Sequence, residues 1–296
     1  MSLPPPHVGF NFVDTLHDDI YPAIDPTKSD LAQPSKAVLV TGAGRGIGRS
    51  IALRYAESGV ENIIICARTA SELDAVEQAI SSINSNVKVT KFSLDITDEA
   101  EVTAAASHVV NEIGRLDVLV NNAGTTEPWK AIAESSIDDY WRTWTVSIKG
   151  TYVMLRNFLP ILEKTAKQEK TTVDVINISS IGAHIIAPGA SAYQTSRLAL
   201  LRLTEFVDVE YGSKGVNCVA IHPGGVLTEL SKNIEEIRDK LTDTPELCAG
   251  FVVWLTKGGR TWLAGRYAAA TWDVDELEAK REEIVMNEKL KVRMVV

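Results

Sequence analysis

The chain has 296 residues, 45% of them hydrophobic and 23% charged, with a formal net charge of −9. That length suits one large domain or two small ones, with a core big enough to need no disulfides. The acidic balance, with no basic run, argues against nucleic acid and anionic membrane as main partners.

The start, MSLPPPHVGF, lacks the basic opening and long apolar core of a secretion signal. Nowhere does an apolar segment approach the ~20 residues that span a bilayer, so a cytoplasmic setting is expected. Residues 1–36, rich in proline and aspartate, read as an irregular, partly mobile leader lying on the domain. Periodic structure begins at KAVLV (36–40) and recurs as apolar runs at 62–67, 87–94, 116–121, 173–179 and 216–222. Helical stretches such as SELDAVEQAISSI and SRLALLRLTEFVDVEYG lie between them. Most of the strands are apolar on both faces, which predicts an α/β fold: a parallel sheet covered by helices on both sides. The charged segment ELSKNIEEIRDKLTDTPEL reads as a solvated lid helix, and the end of the chain as a helix followed by an extended apolar tail. Cys66, Cys218 and Cys248 are widely spaced, without a pairing or metal-ligand pattern. They read as reduced buried thiols, and no metal site is expected.

The first strand carries the strongest local signal. In VLVTGAGRGIGRSIALRY a glycine-rich turn joins a strand to a helix. Gly42, Gly46 and Gly48 let the backbone approach a pyrophosphate, and the helix points its first amides at that charge. Ordinary tight turns also use glycine; the strand before and the helix after favour nucleotide binding. Where an NAD binder places an acid, at the end of the second strand, this chain reads ICAR, with Arg68 and no carboxylate. Arg45 supplies a second cation. The pair suits the 2′-phosphate of NADP(H), the cofactor expected here.

A second signal is SAYQTSRLAL, which sets Tyr193 and Arg197 four residues apart on one helix face. A cation beside a phenol favours the phenolate, so the pair is a candidate acid/base. Arginine is an unusual partner, because its guanidinium does not readily give up a proton.

Taken in order, TGAGRGIG (41–48), Asp95 in SLDITD, NNAG (121–124), NISS (177–180), YQTSR (193–197) and HPGGVLT (222–228) resemble the short-chain dehydrogenase/reductase family over roughly residues 36–270. The leader and tail are similar to those of fungal members, and secondary metabolism is the implied setting. The resemblance implies a single-domain, Rossmann-type doubly wound sheet of about seven parallel strands. It places that domain at 37–272, with a substrate flap at about 229–245 and a C-terminal helix and tail at 273–296. A homodimer or homotetramer is implied, as is a nicotinamide cofactor that exchanges hydride with a carbonyl or alcohol carbon. On this basis the glycine turn, Ile47 included, would hold the diphosphate, Asp95 the adenine amino group, and Asn122 the adenosine ribose. Pro223, Gly224, Val226 and Thr228 would hold the carboxamide and diphosphate. Ser180 would orient the substrate oxygen and Tyr193 would exchange its proton, with Arg197 on the nicotinamide ribose. His184, Ile185, Ile186 and Pro188 would form a pocket wall; Trp141 and Trp144 suit core or subunit contacts.

Two positions depart from the family pattern. Arg197 stands where the family has lysine, and Ser147, in VSIKG, where it has the asparagine of a proton relay. Two catalytic readings stay open, beside a third in which the chain is a cofactor-binding regulatory protein with no chemistry. One is an NADP(H)-dependent oxidoreductase acting on a small, largely apolar carbonyl or secondary alcohol. The other is a cyclase, isomerase or lyase that retains cofactor binding without redox chemistry.

Overall fold

The computed structural model describes residues 5–294, Asn233 excepted. Seven strands form one sheet: β1 (Ala37–Thr41), β2 (Asn62–Ala67), β3 (Lys88–Ser93), β4 (Val118–Asn121), β5 (Val173–Ile178), β6 (Val216–His222) and β7 (Tyr267–Ala269). Every neighbouring pair is parallel, in the order β3-β2-β1-β4-β5-β6-β7. The order reverses between β1 and β4, which opens a crevice beyond the carboxyl ends of the strands.

Two apolar layers hold the sheet, and β1 shows how. Val38 and Val40 face one layer while Ala37 and Leu39 face the other, the alternation expected of a strand covered on both sides. The first layer packs on α1 (Gly46–Glu57), α2 (Ala70–Ile83) and α7 (Pro245–Thr256). The second packs on α3 (Glu99–His108) and α5 (Thr151–Glu169). β3, at the sheet edge, is the strand with exposed positions, and Lys88 and Lys91 blunt that edge. The three cysteines are buried thiols, and burial pushes that of Cys66 up to about 12.

Helix starts show where the chain leaves groups free. Asp98 caps α3 by accepting from the amides of Ala100 at 2.9 Å and Glu101 at 3.1 Å. Ser136 caps α4 (Ile137–Trp144) through the Asp139 amide at 3.3 Å. By contrast α1 and α6 (Ser191–Tyr211) have no cap from their own N-cap residues. Both begin at the crevice. Between α4 and α5 the chain runs as a π-helical segment, Thr145–Gly150, which contains Ser147.

The described part of the leader is irregular, as expected, and sends apolar side chains into the domain. Val13, Ile24 and Leu31 are at most 3% exposed and share the first apolar layer with α7 and β7. Prolines start two of its short 3₁₀ turns, and Gln33 donates to the Val253 carbonyl at 2.8 Å. Past β7, Trp272, Val274 of α8 (Val274–Ala279) and Ile284 of α9 (Arg281–Met286) enter the same layer. The tail then returns along the sheet, where the Tyr267 amide donates to the Leu290 carbonyl at 2.8 Å. The last two residues of the apolar tail expected from sequence, Val295 and Val296, lie outside the described residues. Charge periodicity suggested a lid helix after Thr228. The segment is instead a turn followed by six residues of 3₁₀ helix, Glu235–Lys240, because Ser231 and Ile234 turn inward and interrupt a solvated face. Among the described residues no helix is long and apolar enough to cross a membrane.

Candidate active site

One cleft of about 1700 Å³ opens at the carboxyl end of the sheet. A single small-molecule site occupies roughly 300–1,000 Å³, so there is room for a dinucleotide and a further molecule. Of the residues singled out as cofactor-binding or catalytic, all line this cleft except Gly48 and Ser147. Gly48 acts from behind: a Cβ there would collide with the Gly42 carbonyl oxygen and the Asn122 amide nitrogen. Gly42 itself adopts φ +65°, which glycine reaches without strain. The side chain of Asn122 fastens this turn, since its Nδ2 donates to the carbonyls of Thr41 at 2.8 Å and Gly42 at 3.2 Å. Thr41 answers from β1, its Oγ1 accepting from the amides of Asn122 and Ala123 at 2.9 and 3.1 Å. Thr228 reaches over the turn, its methyl 3.5 Å from where a Gly46 Cβ would stand.

This cradle fits a diphosphate. Small residues keep the backbone open, and the uncapped start of α1 leaves helix amides for an anion. At the adenosine end Arg45 and Arg68 both line the cleft, but Arg45 is shared: its Nη1 donates to Glu72 Oε1 at 3.2 Å. Glu72, in the first turn of α2, was not singled out in the sequence. Asp95 accepts from the Thr97 amide at 2.9 Å and hydroxyl at 2.8 Å. Burial raises its carboxyl, but these bonds, with Arg68 and Arg142 nearby, outweigh it and hold the group below its ordinary range.

Across the cleft Ser180, Tyr193 and Arg197 come together. Ser180 follows β5, and its Oγ accepts from the Gly182 amide at 2.9 Å. Tyr193 and Arg197 lie one turn apart on α6, with the guanidinium carbon 4.8 Å from the ring centroid. Arg197 is 5% exposed; its Nη1 donates to the Ile178 carbonyl at 3.2 Å, while Nε has no partner among the described residues. Gly124 stands opposite, where an added Cβ would lie 2.7 Å from Nη2 and push the guanidinium aside. The missing cap of α6 comes from outside the helix. Buried Glu127 accepts from the Tyr193 amide at 3.2 Å and from the Thr143 hydroxyl at 3.0 Å. Nothing in the local sequence signals that role.

Two sequence expectations change here. Ser147 is 1% exposed, lies outside the cleft lining, and its hydroxyl has no partner among the described residues. Its carbonyl, also buried, accepts from the Thr151 hydroxyl at 2.8 Å. Of the expected wall, Ile185 lines the cleft, whereas His184 turns away and packs edge-on against Tyr267, 4.6 Å between centroids. Burial pushes its imidazole below the ordinary value. His222, at the end of β6, is the buried histidine that does line the cleft. Burial, with His184 nearby, lowers it to about 4, so it is neutral at pH 7.

The family model described as short chain dehydrogenase matches residues 36–239. The chain belongs to the short-chain dehydrogenase family. This short-chain dehydrogenase is 48% identical over 298 residues to the short chain dehydrogenase mpl6 of Monascus purpureus, with 99% of each chain covered. Its fold is similar to that of the Pseudomonas aeruginosa RhlG/NADP active-site complex, with TM-score 0.72, 26% identity, and 82% and 97% of the two chains covered. It is also similar in fold to the Brucella melitensis 3-ketoacyl-(acyl-carrier-protein) reductase complexed with NADH, with TM-score 0.73, 24% identity, and 81% and 97% covered. Short-chain dehydrogenases sharing this fold are thus seen with either nucleotide.

Proposed function

We propose that the protein is an NADP(H)-dependent oxidoreductase acting on a carbonyl or secondary alcohol of a small, largely apolar molecule. The observation that carries this reading is Tyr193 beside Arg197, 4.8 Å from ring centroid to guanidinium carbon, in the cleft that also holds the glycine turn. Bound NADPH would supply the hydride for carbonyl reduction, and NADP⁺ would accept one in the reverse direction.

Tyr193 gives its phenolic proton to the substrate oxygen as that atom gains charge, and Ser180 donates a second hydrogen bond to it. Arg197 keeps a fixed cation beside the phenol and offers further N–H donors to the nicotinamide ribose hydroxyls. Arg197 is therefore chiefly a holder. Ser147, with its hydroxyl buried away from the cleft, does not restore the proton path that an asparagine serves in the family. One general acid–base group is worth roughly 10²–10⁴-fold, so a weak path slows turnover without ending it.

Gly42, Gly46, Ile47 and Thr228 bind the diphosphate, with Gly48 and Asn122 bracing the turn. Asp95 binds adenine, and Pro223, Gly224 and Val226 line the nicotinamide end. Arg68 is the main partner of the 2′-phosphate, because Glu72 competes for Arg45. Titration is expected to give a clear preference for NADPH over NADH, and Arg68→Asp is expected to weaken NADPH and strengthen NADH. Equal curves for the two nucleotides in the parent would contradict the assignment.

A non-redox cyclase, isomerase or lyase is the second reading, favoured by Arg197 and Ser147 together; product formed at an unchanged rate without cofactor would establish it. Exposed Ile137, Trp141, Tyr152, Phe206 and Val209 on α4, α5 and α6 support a homodimer or homotetramer. A monomer in sedimentation would contradict that. The acidic balance, and among the described residues the lack of a helix long and apolar enough to cross a membrane, support a cytoplasmic setting, which imaging of a tagged protein tests.

A further inference from the structure

We propose that His17, carried by the N-terminal leader, is a substrate-binding residue that accepts a hydrogen bond from a hydroxyl of the substrate. The proposal rests on the reductase reading above and narrows it to hydroxylated molecules with an apolar body.

The leader is pinned where it meets the cleft. The His17 amide donates to the Thr271 carbonyl at 2.8 Å, and the Thr244 amide donates to the Asp18 carbonyl at 2.8 Å. The segment around His17 therefore lies between the loop after β7 and the far end of the flap. Both His17 and Thr271 line the cleft, at the β7 end of the sheet and across the crossover from Arg45 and Arg68. This is the side on which Ser180 and Tyr193 also stand.

The imidazole is held on two sides. Its ring stacks on Tyr21, with centroids 3.5 Å apart and planes 12° from parallel. Its Nε2 lies 2.9 Å from Asp273 Oδ2. Burial raises the Asp273 carboxyl, but bonds from His17 and from the amides of Glu276 and Asp275 hold it below its ordinary range. An ionised carboxylate has no proton to give, so Nε2 is the donor, and in the neutral tautomer this leaves the lone pair on Nδ1. Nδ1 has no hydrogen-bond partner in the protein among the described residues. A fixed acceptor on a cleft wall selects for an O–H donor. The body of the ligand follows from the mouth of the cleft, where Phe10, Leu16, Ile185 and Leu227 stand exposed.

The test is calorimetric titration of the full-length protein, with and without NADP⁺, at mildly alkaline pH. The probes are α-tetralone and its phenolic monohydroxy isomers. At least one isomer is expected to bind about 5-fold tighter than α-tetralone, the scale of one hydrogen bond. His17→Phe, which keeps the stack on Tyr21, should remove that preference, so that the isomers and α-tetralone bind alike. Asp273→Asn, which preserves the cap of α8, should reduce it by loosening the tautomer. If no isomer gains over α-tetralone in the parent, or if the gain survives His17→Phe, the assignment of His17 is wrong. NADPH oxidation is followed in parallel. Its absence would sink the reductase reading, while the binding comparison would still decide His17.

Discussion

At the level of single residues, the site depends on groups that reach it from far along the chain. Glu127 holds the first turn of α6 from 66 residues away, and with it the backbone of Tyr193. Glu127→Ala would leave the Tyr193 amide unsatisfied, at a cost of roughly 1–3 kcal/mol, while the Thr143 hydroxyl keeps the Asp139 carbonyl as acceptor at 3.1 Å. It is expected to lower both the melting temperature and kcat, with rescue of most of each by Glu127→Gln, which keeps an acceptor oxygen. Equal activity in Glu127→Ala and the parent would contradict the role. Such contacts explain what the sequence could and could not disclose. The glycine turn, Asp95, Ser180, Tyr193 and Arg197 sit in compact ordered motifs, so their types and spacings are informative on their own. Glu72 meets Arg45 across 27 residues and His17 meets Asp273 across 256, with no local pattern marking either pair. Ser147 shows the opposite limit. Its position in the motif is legible, but the turn of the π-helical segment that buries its hydroxyl is not.

At the level of elements, legibility follows burial. β2 and β6 coincide with their apolar runs because both faces are covered, whereas β7 is only three small or aromatic residues and gives no run to detect. The packing of the leader is illegible for a related reason. Its apolar residues are scattered among prolines and carry no period, yet Ile24 is fully buried against α7, close to Gly250. Ile24→Ala should cost about 2–5 kcal/mol and lower the melting temperature by several degrees. A melting temperature matching the parent's would show that the leader is only draped on the surface. The short 3₁₀ flap is tied at its base, where the Gly225 amide donates to Asp243 Oδ2 at 2.6 Å.

At the level of the whole molecule, stability against pH reflects two buried groups with opposing signs. Burial lowers His222 from 6.5 to about 4. Between those values the unfolded chain binds a proton that the native state refuses, so acidification costs stability. Asp174, in β5, behaves the other way: burial raises its carboxyl from 3.8 to about 6, although Lys36 and Asn217 partly offset this. There the native state keeps a proton that the unfolded chain has lost, so acidification through that window adds stability. Asp174→Asn removes the second effect and leaves the first. Thermal unfolding should show the variant at least as stable as the parent near neutrality, with a steeper fall from pH 6.5 toward 4; parallel profiles would contradict this balance. The proposed reaction has Tyr193, with Arg197 as its holder, protonate a carbonyl oxygen as NADPH delivers hydride to the carbon. It is tested most directly by supplying NADPH deuterated at the transferable position with a panel of apolar ketones and following the label into product. Deuterium is expected on the carbinol carbon with the parent, with a loss of roughly 10²-fold or more in rate for Tyr193→Phe at nearly unchanged NADPH affinity. A product that forms without label, or a Tyr193→Phe protein that transfers it as fast as the parent, would contradict it.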